Sequence, residues 1–175
     1  MGYMLSSLGN LPIQEDVSLY IFVINGRWRG EFNDAIEENF GALAKQIGPN
    51  SVIAKGFDPE AWSDQICSKY LGKDTKTMYD VWPALLLTDA HPEKLAEKSL
   101  RLLVPLRNAD KRFGGVETFF TALAEFAKSR NPNFLARFEN KETLKSKAWS
   151  VLELKPNIFG FGINLKEVAA RVQGK

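Results

Sequence analysis

Asp80-Val81-Trp82-Pro83-Ala84-Leu85-Leu86-Leu87-Thr88 sets a proline at the entrance of a short apolar strand. Two strand–helix units precede it. The first opens with Leu19-Tyr20-Ile21-Phe22-Val23-Ile24, a continuous β-branched and aromatic run, which predicts a strand covered on both faces. Asn25-Gly26 ends that strand. Phe32, Ile36, Phe40, Leu43, Ala44 and Ile47 then recur on one helical face until Gly48-Pro49 stops them. The second unit is a short strand, Ser51–Ala54, followed by Asp58-Pro59-Glu60. That triplet supplies an N-cap acid, a first-turn proline and a dipole-compatible carboxylate. Trp62, Ile66, Cys67, Tyr70 and Leu71 form the stripe of this helix, and Gly72 is placed to end it.

Beyond the proline, Ala84–Leu87 predicts a third strand. Pro92-Glu93 suggests a short helix reaching about Lys98. Leu100–Val104 predicts a fourth strand closed by Pro105. Arg107 to Arg112 reads as a polar loop. After Gly114-Gly115, Val116, Phe119, Phe120, Leu123, Ala124 and Ala127 mark a strong amphipathic helix. Asn131-Pro132-Asn133 breaks the chain. Residues 134–150 look helical but weakly amphipathic, residues 158–163 alternate bulky and small side chains, and a terminal helix is expected from Leu165 to Val172. The expected organisation is a loosely patterned lead-in (1–16), an α/β domain (17–130) and a C-terminal helical or extended arm (131–175).

This order of strands and helices, with Ile21–Ile24, the Asp58-Pro59 helix start, Trp82-Pro83 and its strand, Leu102–Val104 and Gly114-Gly115, resembles the thioredoxin-like superfamily over roughly two thirds of the chain. The resemblance implies a three-layer α/β sandwich with a C-terminal extension. In that architecture crossover helices link the first strands, and a proline that is usually cis introduces the next. Trp82-Pro83 suits such a bond, because an X-Pro amide prefers trans by only about 0.5–1 kcal/mol. The chain departs from the family twice. Asn25-Gly26-Arg27-Trp28-Arg29-Gly30 holds no cysteine where the redox pair would sit, and Thr88 to Ser99 separates two strands usually joined tightly, which calls for an inserted helix. The competing fold is a doubly wound α/β domain with a fully parallel sheet.

Composition narrows the chemistry. With 175 residues, 45% hydrophobic and 25% charged, the chain can bury a substantial core. One cysteine, Cys67, excludes an internal disulfide or CxxC pair, and one histidine, His91, excludes a two-histidine zinc site. Cys67 lies on a helix stripe and reads as a small buried hydrophobe. His91 has Asp89 nearby but no identifiable nucleophile, so it reads as a helix cap or a solvent-facing side chain. No catalytic residue, cofactor or metal is expected. No apolar run approaches a bilayer span and no secretory leader is evident, so the default expectation is a cytoplasmic protein with no membrane partner.

Two partner readings remain. By the resemblance, Arg27, Trp28, Arg29, Trp82 and Pro83 would line a groove that holds an extended protein or peptide segment; tryptophan and arginine are enriched at binding hot spots. Phe159 and Phe161 would dock the C-terminal segment, onto this domain or into a partner, by strand addition to a sheet edge. The alternative rests on charge. Residues 1–100 hold 9 Lys/Arg and 14 Asp/Glu, whereas residues 101–175 hold 14 and 7. The basic half could meet nucleic acid, another anion, or the acidic half of a second copy in a homo-oligomer. Arg107, Lys111 and Arg112, ahead of the Gly114-Gly115 helix start, are the candidate anion site. Lys141, Lys145 and Lys147 add charge without interleaved aromatics, and Gly160-Phe161-Gly162 lacks the context of a phosphate loop. The expectation is a non-catalytic binding or scaffold module.

Overall fold

A computed structural model describes residues 1–26, 30–72, 81–97, 99–131, 133–137 and 152–153. The strands are β1 (Gly2–Leu5), β2 (Leu19–Ile24), β3 (Ser51–Gly56), β4 (Ala84–Thr88), β5 (Arg101–Pro105) and β6 (Leu152–Glu153). The helices are α1 (Glu31–Gln46), α2 (Pro59–Ile66), α3 (Leu106–Phe113), α4 (Val116–Ser129) and α5 (Asn133–Ala136). They build one mixed α/β sheet in the order β1-β3-β2-β4-β5-β6. The β1–β3 and β3–β2 pairs are parallel, and the β2–β4, β4–β5 and β5–β6 pairs are antiparallel. The fully parallel alternative is therefore excluded.

The unbroken apolar run of β2 follows from its position. Leu19, Ile21 and Val23 enter a core with α1, α3 and α4, while Tyr20, Phe22 and Ile24 enter a second core with α2. A central strand with helices on both faces has no solvent side on which polar residues would be favoured. Each expected helix stripe lies against the sheet. Ile36, Leu43 and Ile47 are buried, as are Phe119, Phe120, Leu123, Ala124 and Ala127. Asp58 caps α2 through Oδ1, accepting from the amides of Glu60 (3.1 Å) and Ala61 (3.3 Å). The helix then widens into a π turn over Cys67–Leu71 and ends at Gly72 in the left-handed region.

Four local expectations are corrected. Residues Gly2–Leu5 form the edge strand β1, held by parallel pairing to β3 rather than by any apolar pattern of their own. Arg107–Arg112 is helical, within α3, where Ala109 and Phe113 bury one face. The Thr88–Ser99 connection needs only a single 3-10 turn, Pro92–Lys94, because antiparallel neighbours require no crossover helix. Pro105 lies inside β5, opposite Ala84, rather than beyond it. The expected helix at 165–172, the extended segment at 158–163 and most of the segment 134–150 lie outside the described residues. Among the described residues, no helix is long and apolar enough to cross a membrane.

Candidate functional site

The end of β2 and the start of β4 are neighbours, since Ile24 pairs with Ala84. This brings Asn25-Gly26 after β2, the first turn of α1 and the Trp82-Pro83 segment to one end of the sheet. The Trp82–Pro83 peptide is cis. The Pro83 carbonyl accepts from the amide of Leu106, at the first residue of α3, at 2.9 Å. The segment is thus tied to the junction of β5 and α3.

Side chains of α2 hold the end of β2. The Ser63 hydroxyl accepts from the Asn25 amide (2.9 Å) and donates to the Asn25 carbonyl (2.8 Å). The Trp62 indole N–H donates to the carbonyl of Val23 at 3.0 Å. These bonds satisfy buried main-chain groups just where β2 runs out of strand partners. Trp62 can approach so closely because Gly56 has no side chain. A Cβ at Gly56 would overlap the Trp62 Cβ and sit 2.8 Å from the Asp58 carbonyl oxygen. Gly30 precedes α1 in an extended conformation (φ 175°), exposed and with open space around it.

The sequence-derived site residues separate into groups. Trp82 is 1% exposed and packs in the core with Trp62, Phe22 and Tyr70, and Pro83 is also buried. The Trp82 ring therefore supports the segment from beneath instead of forming a groove wall. Arg27, Trp28, Arg29, Phe159 and Phe161 lie outside the described residues. The one described piece of the C-terminal segment, β6, pairs with the β5 edge, Leu152 opposite Leu103 and Glu153 opposite Leu102.

Arg107 and Lys111 are exposed one helical turn apart on α3, which puts them on the same face. Arg112 turns instead to the carbonyl of Arg137 (2.7 Å), and burial pulls its guanidinium below the usual value. Cys67 is wholly buried. Desolvation, reinforced by the Asp64 charge, pushes its thiol up to about 12. His91 is buried as well. Its Nδ1 caps the 3-10 turn by accepting from the Glu93 amide (3.2 Å), and its Nε2 donates to the Leu11 carbonyl (3.1 Å). Sequence reasoning missed the bracing roles of Ser63 and Gly56, because neither residue belongs to a motif. The Asp58-Pro59 helix start was the nearest signal.

No protein-family model matches the chain, and no curated protein or solved structure gave a match.

Proposed function

We propose that this chain is a binding module of thioredoxin-like architecture, without thiol chemistry, that holds an extended protein or peptide segment against the β2–α1 loop and the Trp82-Pro83 segment. The observation that carries the reading is the juxtaposition of these two segments across the Ile24–Ala84 pair, with α2 locking one and Leu106 the other. Holding Asn25 and Pro83 in place lowers the ordering cost of binding. The strand order supports the resemblance. A helix crossover links parallel β2 and β3, a proline introduces β4, and β4 and β5 pair directly. The buried, protonated Cys67 lies in the π turn that follows α2 and supplies no nucleophile.

The test is selection of extended peptides from a displayed library on the full chain, followed by amide NMR mapping. Expected perturbations centre on Asn25, Gly30–Asp34, Ala84 and Leu106. The Gly30→Trp variant, whose extended backbone accommodates any residue, should keep its stability and lose at least about tenfold in affinity. Failure to enrich any peptide, or shifts confined to another surface, would overturn the reading.

A second reading is favoured by the exposed Arg107–Lys111 face of α3, which suits contact with nucleic-acid phosphates. It requires affinity for DNA or RNA that falls steeply with salt as counterions are released.

A further inference from the structure

Among the described residues β1 forms one edge of the sheet and pairs only with β3. The amides of Ile53 and Phe57 donate to the carbonyls of Met1 and Leu5, each at 2.9 Å. Main-chain groups alternate in direction along a strand. Those of Met1, Tyr3 and Leu5 therefore face β3, and those of Gly2 and Met4 face off the sheet. Neither Gly2 nor Met4 makes a hydrogen bond outside the sheet among the described residues. An open strand edge invites another strand, and proteins commonly guard it with a charge, a proline or a bulge. Gly2-Tyr3-Met4-Leu5 carries none of these. Met4 is instead 44% exposed, and Phe57, whose amide extends the ladder past β3, is 67% exposed.

Helix α1 covers this edge on one face. A Cβ at Gly2 would overlap that of Ala44 and touch the Phe40 ring, so Gly2 and Met4 lie on the α1 side of β1. Lys55, opposite Met4, reaches Glu37 and lies over the Phe40 ring. Helix α1 thus runs antiparallel to β1, with Glu37 toward the Met4 end and Ala44 toward the Gly2 end. Asp34 and Lys45 are about three turns apart, which puts them on one helical face, and Glu37 lies a turn from Asp34. Asp34 and Lys45 are exposed, as is much of Glu37. This flank of α1 is acidic toward its start and basic toward its end.

We propose that β1 pairs antiparallel with β1 of a second copy, making one sheet continuous through both chains. The two-fold axis stands normal to the sheet, which keeps both α1 helices on one face. The register that uses every outward group sets Gly2 opposite Met4 of the second copy, so that each N–H meets a C=O. It sets Tyr3 opposite Tyr3 on the axis. Met4 then lies beside Gly2 of the other copy, against the Ala44 and Phe40 that cover it. The axis also reverses α1 against its copy, so Lys45 of each chain faces the Asp34 and Glu37 end of the other. This charge complementarity selects a second copy as the occupant of the edge. The edge is separated from β2 by β3, and the dimer and the peptide platform do not depend on each other.

The experiment is sedimentation of the full chain from about 1 to 200 μM, the span over which a micromolar dimer dissociates. The parent should show a monomer–dimer equilibrium. Met4→Lys puts a guarding charge on the exposed edge, and it should keep the parent's circular dichroism and remain monomeric. Lys45→Glu should weaken the dimer at least about fivefold. Adding Asp34→Lys should restore most of that loss, because the exchange recreates opposite charges across the axis. Cys67 is buried, so an introduced thiol reports alone. Tyr3→Cys should cross-link two chains on mild oxidation. Met4→Cys should not, since its two copies lie diagonally, about 7–8 Å apart and beyond disulfide reach. A parent monomeric throughout, a dimer unaffected by Met4→Lys or by Lys45→Glu, or Met4→Cys cross-linking as readily as Tyr3→Cys would overturn the proposal.

Discussion

Ser63 and Asn25 exchange two hydrogen bonds through a single hydroxyl, which accepts from the Asn25 amide at 2.9 Å and donates to the Asn25 carbonyl at 2.8 Å. One side chain of α2 thereby holds both main-chain groups of the residue that ends β2. Removing it leaves two buried polar groups without this partner. Ser63→Ala should cost about 1–3 kcal/mol in urea denaturation with an unchanged m-value. It should also weaken any peptide selected on the platform, whereas a purely structural role would leave affinity intact.

Gly56 and Gly41 should respond to alanine in opposite directions. A methyl at Gly56 collides with Trp62 and the Asp58 carbonyl, so the backbone of β3 or α2 must shift. Gly56→Ala should destabilise by about 1–3 kcal/mol. Gly41 is an exposed position within α1 with open space around it, and Gly41→Ala should stabilise by about 0.5–1 kcal/mol. Thermal unfolding of the two variants side by side reads the difference.

Alkaline pH should unfold the protein through its buried acids. Cys67 stays protonated in the folded chain up to about 12, against an ordinary value of 9.0, and burial also raises Tyr20 and Tyr70. Their folded pKa values exceed the unfolded ones, so this stability is complete below about pH 9. It is lost as pH rises, because the unfolded chain then releases protons that the folded chain retains. Urea midpoints measured from pH 8 to 11 should fall, and Cys67→Ala should flatten the slope. At pH 8 the native thiol should react with iodoacetamide two to three orders of magnitude more slowly than the thiol of the urea-unfolded chain.

Arg130 ties the end of α4 to the starts of two strands. Its Nη2 donates to Ser18 Oγ (2.9 Å), the Asn50 carbonyl (3.0 Å) and Ser51 Oγ (2.9 Å), and its Nη1 donates to Ala127. A lysine has the charge without the planar fork. Arg130→Lys should therefore lower stability by about 1–3 kcal/mol, read from the urea midpoint.

Charge reversal separates the two functional readings. Arg107→Glu with Lys111→Glu should leave peptide affinity at the platform unchanged. If the phosphate reading holds, the same pair should abolish low-salt binding to a duplex DNA probe. Absence of DNA binding by the parent protein at low ionic strength would remove that reading.

Elements that bury a periodic apolar face were legible residue by residue. The run Leu19–Ile24, the Ile36/Leu43/Ile47 stripe, the Asp58 cap and the burial of Cys67 all follow from local pattern, because burial and capping act within a few residues. Gly2–Leu5 was not legible. An edge strand alternates between exposed and half-buried positions, and its ladder bonds go to β3, some fifty residues away. Nor was α3, whose polar surface hides the anchors Ala109 and Phe113. The proline at position 83 marked the start of β4 and the proposed platform, but Ser63 and Gly56, which shape the neighbouring end of the sheet, match no motif. Tyr20, Thr88 and Arg101 are 68 and 13 residues apart along the chain, and only the antiparallel registers of β4 bring them into one row. Periodicity reports which side chains leave water; which of them then meet is a matter of strand register, and register depends on contacts distant in sequence.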